Sequence, residues 1–200
     1  MCIRDRYLGK SPVDARIKKT LLNASLPTAL RRALPAIFDS MGQKSMASVI
    51  RRSRNHHLSA FGFQEALVKQ QAFRANFLNR LNESQIDLLI CPPFATAAMK
   101  HLSVDIVLGI AYTMVFNLLG MPAGVVPFTT VQAGEESDRT ESKDDFVKAL
   151  CRAEKESVGM PVGVQVVARH WREDVAIAVM KYLHQSASER EDFPKTPTNL

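Results

Sequence analysis

The stretch LGMPAGVVPFTTV, residues 119–131, constrains the fold of this chain more than any other. Gly120 and Pro122 predict the end of an apolar helix and a sharp turn, because glycine reaches left-handed φ and proline cannot continue a helix. Ala123 and Gly124 then allow close approach of a neighbouring element. The β-branched run that follows favours a buried strand. The stretch therefore predicts a helix, a turn and a strand in immediate succession.

Two further apolar runs also predict strands. IDLLICPPF, residues 86–94, is a near-continuous apolar run stopped by two prolines, and VGMPVGVQVVA, residues 158–168, is rich in valine. Such runs indicate strands buried on both faces, in a sheet that is covered by helices. We expect strand pairing in the stretch 119–131 to end at Pro127, because proline has no N–H to donate.

Amphipathic periodicity predicts the helices that alternate with these strands. Apolar side chains recur at helical spacing through 63–81, 146–157 and 171–187, and a mostly apolar helix covers 106–122. A polar, acidic surface loop is expected over 132–145. In the last helix, the residues expected to face the body of the protein are Val175, Ala178, Val179 and Tyr182.

The first quarter of the chain is basic. Residues 1–57 carry 12 Lys and Arg against 3 Asp, a net charge of +9, whereas residues 58–200 carry a net −3. An apolar face runs through 24–42, where we expect two short helices that meet at Pro35, the first capped by Ser25. The charge points to an anionic partner, either a membrane surface or nucleic acid. Nucleic-acid binding would favour aromatic residues among the basic ones, and 17–57 contains only Phe38.

The reactive residues show no catalytic or metal-binding pattern. The three cysteines are scattered, which argues against a disulfide framework, and neither they nor the histidines have partners at metal-ligand spacing. Ser157 precedes a predicted strand and is interpreted as a turn residue. The sequence predicts no metal site and no cofactor.

The three predicted strand regions together resemble a known family. The stretches 86–94, 112–131 (YTMVFNLLGMPAGVVPFTTV) and 157–180 (SVGMPVGVQVVARHWREDVAIAVM) resemble the carboxy-terminal half of the amidase signature serine hydrolases, and most closely their fatty-acid amide hydrolase branch. The resemblance implies an α/β fold: the C-terminal part of an α/β/α sandwich with a mixed central sheet and a helical cap.

The resemblance also suggests a division of the chain. It implies that residues 7–185 are the C-terminal portion of a single amidase domain. Within this portion, the cap covers 17–57 and the α/β part covers 63–185. Residues 186–200 are expected to form a tail that frays from Glu189. The first six residues, MCIRDR, look foreign to the rest, and we expect them to be a non-native leader.

The activity that the resemblance implies is hydrolysis of amide bonds, most closely of fatty-acid amides, by a Ser-Ser-Lys triad. This sequence contains no Ser-Ser pair and no Gly-Gly-Ser run. We therefore expect the triad to lie upstream of residue 1 and the chain alone to be inactive. The same match assigns substrate-binding positions along an acyl-chain tunnel to Val107, Ile110, Met114 and Phe146. An ordinary role in a helix core is the alternative for these four residues.

The cap implies a peripheral, monotopic contact with a membrane, because an in-plane helix combines an apolar face with Lys and Arg for anionic headgroups. A packed helix pair with a solvated basic face is the alternative. The implied partners are a lipid amide and a membrane surface without nucleic acid, a homodimer is left open, and the implied location is an intracellular endomembrane, with the cytosol as alternative. The membrane-binding residues would be Leu26, Leu30, Arg31, Arg32, Leu34, Ile37 and Phe38.

Two other functions stay open. The first is an amidase of the same fold that acts on small soluble amides, against which the basic, apolar cap argues. The second, more distant, is a basic module that binds nucleic acid or another partner.

Overall fold

The computed structural model describes residues 27–52, 59–99, 109–140 and 142–194. The chain divides into two compact units between Leu58 and Ser59. The leader at 1–6, Ser25, Leu26, Val107 and the end of the tail at 195–200 lie outside the described residues.

The first unit contains two helices, α1 (Thr28–Ser40) and α2 (Lys44–Arg52), which pack against each other. Pro35 lies inside α1, so the prediction of two short helices meeting at this residue is wrong. An internal proline costs a helix one backbone hydrogen bond and about 3 kcal/mol. Burial of the proline ring in this small unit, where Ala47 and Ile50 are also buried, offsets part of that cost.

The second unit alternates helices and strands, as the sequence predicts. All three predicted strands form, and the predicted helices at 63–81 and 146–157 are present with slightly different ends. The apolar helix expected over 106–122 is described only from residue 109 onward. The elements are α3 (Ala60–Glu83), β1 (Leu88–Cys91), α4 (Ala111–Leu119), β2 (Ala123–Thr130), α5 (Asp145–Lys155), β3 (Pro161–Ala168) and α6 (Glu173–Ser188).

The three described strands form one sheet in the order β1-β3-β2, in which β3 runs antiparallel to both neighbours. The mixed sheet expected from the resemblance is therefore wrong for these strands. The connection from β2 to β3 returns to the end of the sheet where it began, since the N–H of Val131 bonds to the carbonyl of Met160 at 3.0 Å. Because β3 starts beside the end of β2, the two strands must run in opposite directions.

Helices cover both faces of the sheet and give three layers. On one face, Val166 and Ala168 pack against α6, and on the other Val167 packs in a cluster with residues of α3 and α4. Among the described strands, only the central strand β3 is buried on both faces, over residues 165–168. Ile90 in β1 and Val125 in β2 are exposed, so burial on both faces is wrong for the two outer strands. Helix α6 packs over β2 and β3, which leaves Ile90 uncovered on that side of β1, and Val125 lies on the opposite face of the sheet.

The turn in the stretch 119–131 forms as predicted. Gly120 has a left-handed φ of 67°, and the N–H of Met121 bonds to the carbonyl of Phe116 at 3.0 Å, as in a Schellman motif. Gly124 leaves room for the middle of α6, because a Cβ atom there would clash with the sulfur of Met180. Helix, turn and close approach therefore follow from the same few residues.

Pro127 does not end the strand. It lies opposite Gly163 in the register, and β2 continues to Thr130 past an irregularity between Pro127 and Thr129. The prediction was wrong because β2 is an edge strand among those described, where a missing N–H and a bulge are tolerated.

Helix α6 is rotated relative to the prediction. Val175 and Val179 face the sheet as expected, but Ala178 and Tyr182 are exposed. Ala176 and Met180 take their places on the packed face. The rotation fits the gap at Gly124, because Met180 reaches into it.

The residues after α6 are held against β2 instead of fraying from Glu189. The hydroxyl of Thr129 donates to Oδ2 of Asp192 at 2.5 Å, and the hydroxyl of Thr130 donates to the backbone carbonyl of Asp192 at 3.1 Å. The expectation of fraying is therefore wrong as far as Pro194, because two adjacent threonines at the end of β2 provide donors.

Candidate functional site

A cleft of about 620 Å³ lies where β1 ends and β3 begins. Its walls are mostly apolar, and the side-chain hydroxyls among the described lining residues are those of Thr96 and Tyr112. The residues that line it are Pro92, Pro93, Phe94, Ala95, Thr96, Ala97, Ala98, Met99, Tyr112, Val125, Pro127, Pro161, Val162 and Gly163.

One wall of the cleft is the segment 92–99, which follows β1 directly. Pro92 stops the strand, because proline cannot continue the ladder. The ring of Phe94 then lies over Gly109, where a Cβ atom would be only 2.6 Å from Cζ of the ring. The ring of Phe94 can therefore occupy this position only because residue 109 is a glycine.

Gly163 in β3 keeps open the space between β2 and the wall 92–99. A Cβ atom at this position would lie 2.8 Å from Cγ1 of Val125 and 3.7 Å from Cγ of Pro93. Val125 borders the cleft and is 48% exposed although it lies in the middle of β2. The missing side chain at Gly163 thus contributes directly to the volume of the cleft.

Tyr112 lines the cleft from the first turn of α4. The carbonyl of Tyr112 is 3.3 Å from Nε2 of Gln165, a residue of β3 that is only 2% exposed. The same Nε2 lies 3.1 Å from Sγ of Cys91, the last residue of β1. One buried carboxamide therefore bonds to both the helix and the strand that border the cleft.

A second, acidic cavity of about 470 Å³ shares Thr96, Ala97 and Val162 with the cleft. Its lining includes Glu154, whose carboxylate accepts bonds from Nη2 of Arg139 and the hydroxyl of Ser137, both at 2.6 Å. Partial burial raises the pKa of the Glu154 carboxyl, but these bonds outweigh it, so the pKa lies below its usual value. This carboxylate therefore stays ionised and holds the loop that precedes α5.

Three of the four predicted tunnel residues are described, and none of them lines the cleft. Ile110 is half-buried before α4, Met114 is 55% exposed, and Phe146 is half-buried in the first turn of α5. Tyr112 and Met114 are two residues apart, so they point to nearly opposite sides of the helix. The predicted tunnel wall and the cleft therefore use different sides of α4.

The predicted membrane-binding residues fall on α1 of the first unit. Leu30, Arg32 and Ile37 are exposed, whereas Leu34 and Phe38 are half-buried. Arg31 belongs to α1 by its backbone. No helix in the described part of the chain is long and apolar enough to cross a bilayer.

Ser157 is a turn residue, as predicted. Its buried hydroxyl donates to the carbonyl of Glu154 at 2.5 Å, at the end of α5. None of the described residues that line the cleft is a serine, cysteine, histidine, lysine or carboxylate. The cleft can therefore bind an apolar group, but its described walls contain no nucleophile with a base beside it.

Sequence reasoning missed the residues that make this cleft. A proline pair followed by small residues, as in 92–99, is a signal for an irregular wall beside a strand. The single amide of Gln165 in a strand of valines is a second signal, because a buried polar group is expected to have bonding partners. Neither pattern by itself says that the segments meet.

Comparison with known proteins gives consistent matches. A family model described as Amidase matches residues 3–176. The protein named fatty acid amide hydrolase 1 of Caenorhabditis elegans is 32% identical over 125 residues, which cover 60% of this chain and 22% of that protein. Fatty-acid amide hydrolase 1 of Sus scrofa is 31% identical over 115 residues, which cover 56% of this chain and 20% of that protein. The chain thus spans about a fifth of the length of these curated relatives.

Proposed function

The chain belongs to the amidase family, and on that premise we propose that it supplies the acyl-binding wall of a serine amidase that acts on long-chain amides. The observation that carries this proposal is the apolar cleft of about 620 Å³. Pockets of this size with apolar walls and few polar groups are typical sites for small apolar ligands. The similarity to two proteins named fatty-acid amide hydrolases supports the substrate class.

A second apolar face of α4 does not line the cleft, but it carries the tunnel positions that the family resemblance implies. Ile110, Met114 and Leu118 follow at intervals of four residues and share one side of the helix. Met114 and Leu118 are exposed, while the core side of α4 is buried through Phe116 and Leu119. A helix that is apolar on two sides suits a wall between a protein core and an acyl chain.

We infer that these 200 residues do not hydrolyse amides by themselves. The Ser-Ser pair that the family resemblance implies does not occur in the sequence, and the described residues of the cleft include no nucleophile with a base beside it. In the proposed reaction a serine oxygen bonds to the carbonyl carbon, the C–N bond breaks and the amine leaves with a proton. Water then releases the acid. The role of this chain is to hold the acyl chain during those steps.

Binding to the cleft can be tested on the chain itself. The 200-residue protein, labelled with ¹³C at its Ala, Val and Met methyl groups, is titrated with decanamide, with butanamide and with decanoate. We expect decanamide to shift methyl signals of cleft residues such as Ala97 and Val162, and butanamide to shift them much less. Equal responses to both amides would favour an amidase for small soluble substrates.

A matched pair of variants locates the site. Val125→Lys places a charge in the cleft, whereas Val158→Lys changes a valine of nearly equal exposure, 49%, that does not line it. We expect Val125→Lys to weaken decanamide binding at least about tenfold, because an apolar ligand would bury the charge. Equal binding by both variants would refute the cleft as the site.

A peripheral membrane contact is part of the proposal. Leu30 and Ile37 are exposed and share one side of α1, Met41 is exposed directly after the helix, and Arg32 is exposed on another side of it. We expect co-sedimentation with phosphatidylcholine vesicles that contain phosphatidylserine, and weaker binding by Ile37→Ser than by the matched control Ile177→Ser in α6. Sedimentation that is equal in these two variants would contradict a membrane contact through α1.

A further inference from the structure

We propose that Gln165 is a positioning residue that sets the width of the cleft and thereby selects the length of the acyl chain. The inference rests on the proposed function of the cleft as an acyl-binding site. Gln165 does not line the cleft, so its effect must pass through the segments to which it bonds.

The two bonds of Gln165 reach both borders of the cleft. Nε2 donates one hydrogen toward Sγ of Cys91 at 3.1 Å and the other toward the carbonyl of Tyr112 at 3.3 Å. Cys91 is followed directly by Pro92, where the wall 92–99 begins, and Tyr112 lines the cleft itself. A change in this one side chain would therefore move two walls relative to β3.

The surroundings of Gln165 favour an apolar residue, so the presence of a carboxamide there needs a physical explanation. It is 2% exposed, and its neighbours Val164 and Val166 belong to a strand of valines. Val167, two residues along on the same face, packs in the apolar cluster with α3 and α4. Burying a polar side chain in such a place is costly unless it forms hydrogen bonds. The two hydrogen bonds of Gln165, both toward the borders of the cleft, offset this cost.

The first test uses the ligand-free chain. Gln165→Met keeps the length and most of the volume but has no donor, and Gln185→Met makes the same change at an exposed position on α6. We expect Gln165→Met to shift the backbone amide signals of Tyr112 and Phe94 while the signals of Ala187 stay in place. Signals at Tyr112 and Phe94 that match the wild type would overturn the proposal.

The second test measures selectivity with hexanamide, decanamide and tetradecanamide. For Gln165→Met we expect a loss of about five- to tenfold in affinity for the amide that wild type prefers, with a changed preference among the three lengths. A merely structural role would lower stability without changing that preference. An unchanged order of affinities would overturn the proposal.

A second variant keeps the test decisive if Gln165→Met does not fold. Cys91→Ala removes one acceptor and leaves the bond to Tyr112, so we expect the same changes at the 92–99 wall with a smaller loss of affinity. Binding and cleft signals identical to wild type in Cys91→Ala would overturn the proposal. If wild type binds none of the amides, the proposed function fails, and the ligand-free signals of Tyr112 and Phe94 still decide whether Gln165 positions the walls.

Discussion

Arg169 stabilises the turn between α3 and β1, and its removal is expected to cost more than the removal of any exposed arginine. Its guanidinium bonds twice to the carbonyl of Ile86, at 3.1 Å from Nε and 2.6 Å from Nη2, and also to Oδ1 of Asn82. The turn needs this support because Gln85 has a left-handed φ of 52°, which is unfavourable for a residue with a side chain.

The size of the effect follows from these contacts. A hydrogen bond from a charged donor contributes about 1.5–3 kcal/mol, and a cation at the end of a helix adds about 0.3–1 kcal/mol. The contact with the carbonyl of Leu81 is long, 3.3 Å, and that carbonyl also accepts from Ile86. The ion pair with Asp87 adds little because that carboxylate is 88% exposed. Arg169→Ala should therefore lower the free energy of unfolding by about 2–4 kcal/mol.

The assay is urea unfolding of the 200-residue chain followed by circular dichroism. Arg169→Ala should lower the midpoint by roughly 1–2 M without a change in slope. Arg169→Lys should recover part of the loss, because an ammonium cannot match the planar fork of bonds. The control is Arg172→Ala, whose guanidinium pairs with the exposed Asp174. A loss for Arg169→Ala no larger than for this control would refute the reasoning.

Three further outcomes are expected. Gly124→Ala should destabilise the chain by about 1–3 kcal/mol through its clash with Met180; in a Met180→Ala background the cost should nearly vanish, and an undiminished cost in that double-mutant cycle would contradict the clash. Gly120→Ala should cost about 1–2 kcal/mol because of its left-handed φ, measured by thermal unfolding, and Gly120→Asn should cost less. Hydrogen bonds from Arg190 and Thr129 hold the pKa of Asp192 well below its ordinary 3.8, so this carboxylate stabilises the fold at neutral pH and the contribution is lost as the pH falls below about 4. Asp192→Asn should therefore be less stable than wild type at pH 7, and a stability gap that persists unchanged in acid would argue against this ion pair.

Much of the local structure could be predicted because it depends on neighbouring residues. The end of α4 at Gly120 follows from the conformational freedom of glycine, and the strands follow from short β-branched runs. The close approach at Gly124 was also predictable, although its occupant, Met180, was not. Pro35 was misjudged because the cost of a proline in a helix is local, whereas the burial that offsets it comes from the packing within the first unit.

The candidate site, in contrast to the local structure, depends mainly on contacts between distant parts of the sequence. The sequence by itself determined that α4 is apolar on more than one side, that no Ser-Ser pair is present and that the chain resembles the amidases. Only the tertiary structure decided that Tyr112, and not Met114, faces the cleft, and that Gln165 bonds to both of its borders. The physical reason is that Gln165 lies 74 positions from Cys91 and 53 positions from Tyr112 in the chain. Such residues meet only through strand pairing and helix packing, which depend on contacts that no local periodicity encodes.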